Sequence, residues 1–99
     1  MKKEIRIANK RTNTGYEIII SIPLPNEEYV LGVKTTTFKE QAYVTWVYVD
    51  GTYYYGHYLN DYDVALKDLY ERVKKELEWR IEKLSQKLRT RSTNETEYE

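Results

Sequence analysis

The 99-residue chain has no cysteine. Disulfides, thiolate metal sites and cysteine nucleophiles are therefore excluded. Small secreted domains commonly depend on disulfides, so their absence points to a reducing compartment. Histidine is almost absent too: His57 stands alone, in a β-branched and aromatic run, and reads as a strand residue before it reads as a base or ligand. No glycine-rich phosphate loop, nucleophile elbow or His-Glu-x-x-His pattern occurs, so the sequence predicts no catalytic residue, metal or cofactor. The chain also lacks an excess of either charge, with 16 Lys and Arg against 16 Asp and Glu. That balance disfavours a strongly basic nucleic-acid binder and an acidic nucleic-acid mimic alike. Long apolar runs are missing. The longest aliphatic run is Ile18-Ile19-Ile20, against the roughly 20 residues a membrane span needs. The charged start Met1-Lys2-Lys3-Glu4 has no apolar run of the kind a signal peptide needs, and none is expected here. The expectation is a cytoplasmic protein without a membrane partner.

What is abundant is tyrosine, eleven against a single phenylalanine. Most of it falls between Tyr43 and Tyr70. Tyrosine suits half-buried strands and contact surfaces, because its ring is apolar and its hydroxyl polar.

Periodicity predicts one α+β domain over residues 1–91, followed by a frayed acidic tail over 92–99. Strands are expected at about 3–9, 16–22, 28–34, 42–49 and 52–59, forming an antiparallel sheet of four or five strands. In the second strand, Tyr16, Ile18, Ile20 and Ile22 alternate onto one face, and Pro23-Leu24-Pro25-Asn26 reads as its stop. Gly32 weakens the third. Asp50-Gly51 joins the last two, because it supplies the positive φ angles of a two-residue type I′ turn. An unbroken hairpin then pairs Tyr48 with Tyr53, Trp46 with Tyr55 and Val44 with His57. The pairing of residues 27–41 stays open, as does the choice of sheet face that the helix covers.

A long helix is expected over about 61–89. Asn60 or Asp61 is the N-cap. Tyr62, Leu66, Leu69, Val73, Leu77, Ile81, Leu84 and Leu88 form one stripe, with a repeat near eleven residues that suits a nearly straight helix. Asp63–Lys67, Asp68–Arg72, Glu71–Lys75 and Glu76–Arg80 are read as ion pairs on its exposed side.

Two features exceed the needs of this fold. A helix of that length overshoots an eight-residue strand, so its far end, with Leu77, Ile81, Leu84 and Leu88, is a candidate self-association surface and predicts a homodimer. The competing reading is that the N-terminal hairpin and the Pro23–Pro25 loop fold over it. The second feature is an aromatic hairpin face of Trp46, Tyr48, Tyr53, Tyr55 and His57, a candidate binding surface for a host protein. Here the competing reading is a cross-strand ladder that only stabilises the sheet. A third reading makes Lys83, Lys87, Arg89 and Arg91 a nucleic-acid contact, with strand tyrosines stacking bases.

The strings Tyr43-Val44-Thr45-Trp46, Tyr53-Tyr54-Tyr55-Gly56-His57-Tyr58 and Asp63-Val64-Ala65-Leu66-Lys67-Asp68, about a third of the chain, resemble small uncharacterised proteins of low-GC Gram-positive bacteria, their phages and their conjugative elements. The resemblance implies a setting, a cytoplasmic accessory protein of a mobile element, and transfers no site. Proteins in that setting often inhibit host machinery by direct binding, anti-CRISPR inhibitors among them.

Overall fold

A computed structural model describes residues 11–34 and 40–95. The strand expected over 3–9 lies outside the described residues. The chain folds as an α+β protein whose described residues form β1 (Thr12–Asn13), β2 (Tyr16–Leu24), β3 (Glu27–Lys34), β4 (Tyr43–Val49), β5 (Thr52–Leu59) and the long helix α1 (Tyr62–Glu95). The strands form a single antiparallel sheet in chain order, β1-β2-β3-β4-β5.

Turn chemistry sets this order. Thr14-Gly15 and Asp50-Gly51 both have two consecutive positive φ angles, the backbone a two-residue hairpin needs. Pro25-Asn26 makes the β2–β3 turn, with Asn26 at φ 77°. The proline segment therefore does not stop the second strand at Ile22: Pro23 pairs with Glu28 and Leu24 with Glu27. Proline is tolerated there because β2 has no described neighbour on its other side at that height. Gly32 does not weaken β3. A Cβ at that position would stand 3.1 Å from the Tyr16 Cβ and 3.3 Å from the Val44 Cγ1, so glycine relieves crowding between the neighbouring strands there.

Two irregularities decide which side chains go where. The β2–β3 register shifts between Ile18 and Ile20. Tyr16 and Ile18 consequently pack with Val30, Val44 and Trp46 on one face, while Ile20 and Ile22 pack with Tyr29 and Leu31 on the other. The β4–β5 register shifts between Thr45 and Val47. Val49–Thr52, Tyr48–Tyr53 and Val47–Tyr54 pair as an unbroken hairpin requires, but beyond them Thr45 meets His57 and Val44 meets Tyr58. Tyr55 and Gly56 together oppose Trp46 as a β-bulge, and a one-residue slip moves every later side chain to the opposite face.

α1 covers the face of Tyr43, Thr45 and Val47. Asp61 caps it, accepting a hydrogen bond from the Val64 N–H at 3.0 Å. Ala65 and Leu69 are fully buried against Tyr29 and Leu31, with Leu66 and Val73 beside them. The helix leaves the sheet at the β2–β3 turn, where Arg80 binds Glu27 and the Pro25 carbonyl as well as Glu76. It continues to Glu95, into the segment expected to be a frayed tail. Neither glycine nor proline follows Gly56 to end it.

Candidate functional site

The bulge in β5 organises the most distinctive surface of the molecule. Tyr55 sits in the left-handed region at φ 55° and is 77% exposed. For a bulky side chain that conformation is rare and costs on the order of 1–3 kcal/mol. Its surroundings hold it in place. Gly56 lies directly under Trp46, where a Cβ would meet the indole Nε1 at 2.8 Å and the Tyr58 hydroxyl at 2.9 Å. From the other side of the sheet, Arg72 donates to the Tyr55 carbonyl at 2.8 Å and to the carbonyl and hydroxyl of Thr45 at 3.0 and 2.9 Å. Tyr54, 44% exposed, places its ring 6.0 Å from that of Tyr55. The pair projects from β5, the strand at one edge of the sheet.

The expected aromatic face divides accordingly. Trp46 is buried at 4% exposure among Tyr16, Tyr53 and Tyr58. Tyr48 and Tyr53 are half-buried and packed on one another at 4.7 Å. Arg11 lies over the Tyr48 ring at 4.6 Å and bonds Glu28 and the Tyr53 hydroxyl. Only Tyr55 of the five expected residues is a freely presented aromatic ring. His57 is not on this face. The bulge carries it to the helix side, where its Nδ1 lies 2.9 Å from the Asp68 carboxylate.

Asp68 and Arg72 do not form an exposed ion pair, because both point at the sheet. The buried Thr45 hydroxyl donates to Asp68 at 2.5 Å, and burial lowers the Arg72 pKa against the opposing charge of Asp68. Thr45, His57, Asp68 and Arg72 thus fasten β4 and β5 to α1. An imidazole oriented by a carboxylate supplies two of the three members of a catalytic triad. Here the Thr45 hydroxyl is committed to Asp68, and among the described residues nothing hydrogen-bonds to His57 Nε2. His57 opens onto a shallow cleft of about 650 Å³ that it shares with Arg72, Lys75, Glu76 and Trp79. No group of three or more potential metal ligands occurs among the described residues.

Sequence reasoning placed Asp68 and Arg72 on the exposed side of the helix and passed over Trp79. Their signal was present: a lone glycine inside a strand marks a bulge, and a slip at Gly56 puts His57 on the side of Asp68.

Beyond Arg80 the helix carries Ile81, Leu84 and Leu88 at 54–60% exposure, and Leu77 at 40% just before it. The β2–β3 turn reaches Arg80 and leaves these four side chains exposed. The expected basic residues are there too, differently engaged. Lys83 lies over the Trp79 ring at 5.3 Å, and Arg89 is 3.7 Å from Glu82. Lys87 and Arg91 are exposed.

Fold and surface define a class: a five-stranded antiparallel meander backed by one projecting helix, with an aromatic edge and no helix among the described residues long and apolar enough to cross a membrane. No family model, curated protein or solved structure matches the chain.

Proposed function

We propose that the protein is a non-enzymatic protein-binding module whose principal contact is the Tyr54–Tyr55 edge of β5. The observation that carries this reading is Tyr55 itself. Glycine satisfies the left-handed position without strain, yet the chain keeps a tyrosine there, and it is the most exposed large apolar-bodied residue among those described. Exposed tyrosines on a rigid scaffold are preferred anchors of protein interfaces, since the ring has few rotatable bonds to immobilise. With the resemblance to mobile-element proteins, this makes the molecule a cytoplasmic accessory protein that binds a host protein, in the manner of an inhibitor of a host defence system such as an anti-CRISPR. A nucleic-acid-binding role gets less support: Tyr16 and Trp46 are buried, and Tyr48 and Tyr53 are packed on each other.

The test compares wild type with Tyr55→Gly, both immobilised and challenged with lysate of the host bacterium, and in parallel measures phage plaquing on a host that carries the targeted defence. Wild type should retain one host protein in stoichiometric amount and restore plaquing. Tyr55→Gly should lose both while unfolding at the same temperature as wild type or higher. Undiminished capture and plaquing by Tyr55→Gly would refute the reading.

A further inference from the structure

We propose that the part of α1 beyond the sheet is a docking ridge for an acidic amphipathic helix of another protein. The inference rests on the protein-binding reading and names the chemistry of a second contact. Leu77, Ile81, Leu84 and Leu88 are spaced four, three and four residues apart, the seam spacing of paired helices. At 3.6 residues per turn the seam lies roughly 120° around the helix from the line of Ala65, Leu69, Arg72 and Glu76 that meets the sheet, and its four side chains are exposed, so the sheet does not obstruct it. Its surroundings are cationic. Lys74 precedes the seam, Lys87 borders one side and Arg91 follows its end; all three are exposed and form no ion pair among the described residues. The nearby acids are occupied: Glu76 is bound by Arg80, and Glu82 by Arg89 and Gln86. Glu78 alone borders the seam as an acid.

Charge selects among occupants. A second copy of this chain in parallel register would set Lys74 against Lys74 and Arg91 against Arg91. In antiparallel register it would set Lys87 beside Arg80 and Lys74 beside Arg91. An anionic membrane would satisfy the cations, but Trp79, the natural interfacial anchor, lies roughly 170° around the helix from the seam. Nucleic acid has no use for the four aliphatic side chains. A helix with a leucine seam and glutamates along its borders satisfies both the apolar line and the cations.

The experiment uses the full chain and two synthetic 21-residue peptides with leucine at the seam positions. One carries glutamate at the flanking positions and the other lysine, so like charge keeps each monomeric at neutral pH. Binding is measured by titration calorimetry at low and high salt. The glutamate peptide should bind at least tenfold tighter than the lysine peptide and weaken with salt. A Leu77→Ser/Leu84→Ser variant, with helical circular dichroism retained, should lose at least tenfold. A Lys74→Glu/Lys87→Glu/Arg91→Glu variant should reverse the preference. Equal affinity for the two peptides, or an unreversed preference, overturns the acidic partner while leaving the ridge a docking site. Binding of neither peptide overturns the ridge itself, without touching the Tyr55 contact. A wild-type mass of two chains by light scattering that the glutamate peptide does not lower assigns the seam to a second copy and overturns the proposal. Tighter binding to vesicles of equal phosphatidylcholine and phosphatidylglycerol than to the glutamate peptide overturns it in favour of a membrane.

Discussion

The Asp68 carboxylate lies 2.9 Å from His57 Nδ1 while accepting the buried hydroxyl of Thr45. One helical side chain thereby holds the edge strand and its inner neighbour. Arg72, one turn later, binds the Thr45 hydroxyl and the carbonyls of Thr45 and Tyr55. These four residues tie α1 to the part of the sheet where apolar packing thins out towards β5.

The network makes Arg72 structural with a functional reach. Replacing it with methionine keeps the aliphatic stem but leaves the Thr45 and Tyr55 carbonyls without their side-chain donor and removes the positive charge that acts on Asp68. A buried polar group left unpaired costs about 1–3 kcal/mol. We expect Arg72→Met to lower the urea midpoint by an amount in that range and to accelerate amide exchange around Tyr55 and Gly56 before the rest of β4 and β5. Unchanged exchange at the bulge would mean that Arg72 does not hold it.

The bulge yields a pair of opposite predictions at adjacent positions. Gly56→Ala forces a methyl into the space of the Trp46 indole and the Tyr58 hydroxyl, an overpacking that costs about 1–3 kcal/mol. Tyr55→Gly removes a left-handed strain of about 1 kcal/mol and discards only an exposed ring. Thermal unfolding should place Gly56→Ala below wild type and Tyr55→Gly level with it or above. The reverse order would show that Tyr55 stabilises the fold and is not kept for contact. Trp46→Ala belongs with the destabilised class, at about 3–5 kcal/mol, because Trp46 is core.

The same bulge separates what the sequence shows from what it conceals. Asp50-Gly51 announces its hairpin through φ preference, Asp61 announces the helix start through capping, and the uninterrupted stripe after Tyr62 announces a helix longer than the sheet. All of these are local signals. A register shift is not local: it depends on how Trp46 is accommodated across the strand, and Gly56 was its only trace. One residue of slip was enough to move His57 from the aromatic face to Asp68 and to bring Tyr58 over Trp46. The shift at Ile18–Ile20 likewise divides a run of isoleucines between two faces, because three consecutive aliphatic residues suit either phase. Asp68 and Arg72 looked like an exposed pair since i,i+4 spacing holds on every side of a helix.

Arg80 marks where α1 departs from the sheet, binding Glu27, Glu76 and the Pro25 carbonyl. Arg80→Gln should leave the core intact and loosen this exit point. Amide exchange should quicken in the β2–β3 turn and in the helix from residue 77 onwards, with Ala65 and Leu69 still fully protected. If exchange at the turn is unaltered, the ridge is held by helix propensity alone.

Tyr29 gives the fold a dependence on high pH. Its burial, the hydrogen bond its hydroxyl donates to Glu27 at 2.8 Å and the charge of that carboxylate push the phenol above its ordinary value, which is about 10. The neutral form is therefore favoured in the folded chain. Above about pH 10 the unfolded chain releases this proton and the folded chain retains it, so stability falls as pH rises. The contribution is fully present below that pH and declines above it by up to about 1.4 kcal/mol per pH unit. Tyr29→Phe has no proton to lose. It should be less stable than wild type by about 1 kcal/mol at pH 8, for want of one hydrogen bond. Its deficit should shrink or invert between pH 10 and pH 11.5 as wild type weakens. Urea titrations of both proteins across that range decide the matter, and the other ten tyrosines cancel in the difference. A deficit that stays constant with pH would mean that the Tyr29 proton leaves the folded and unfolded chains equally readily.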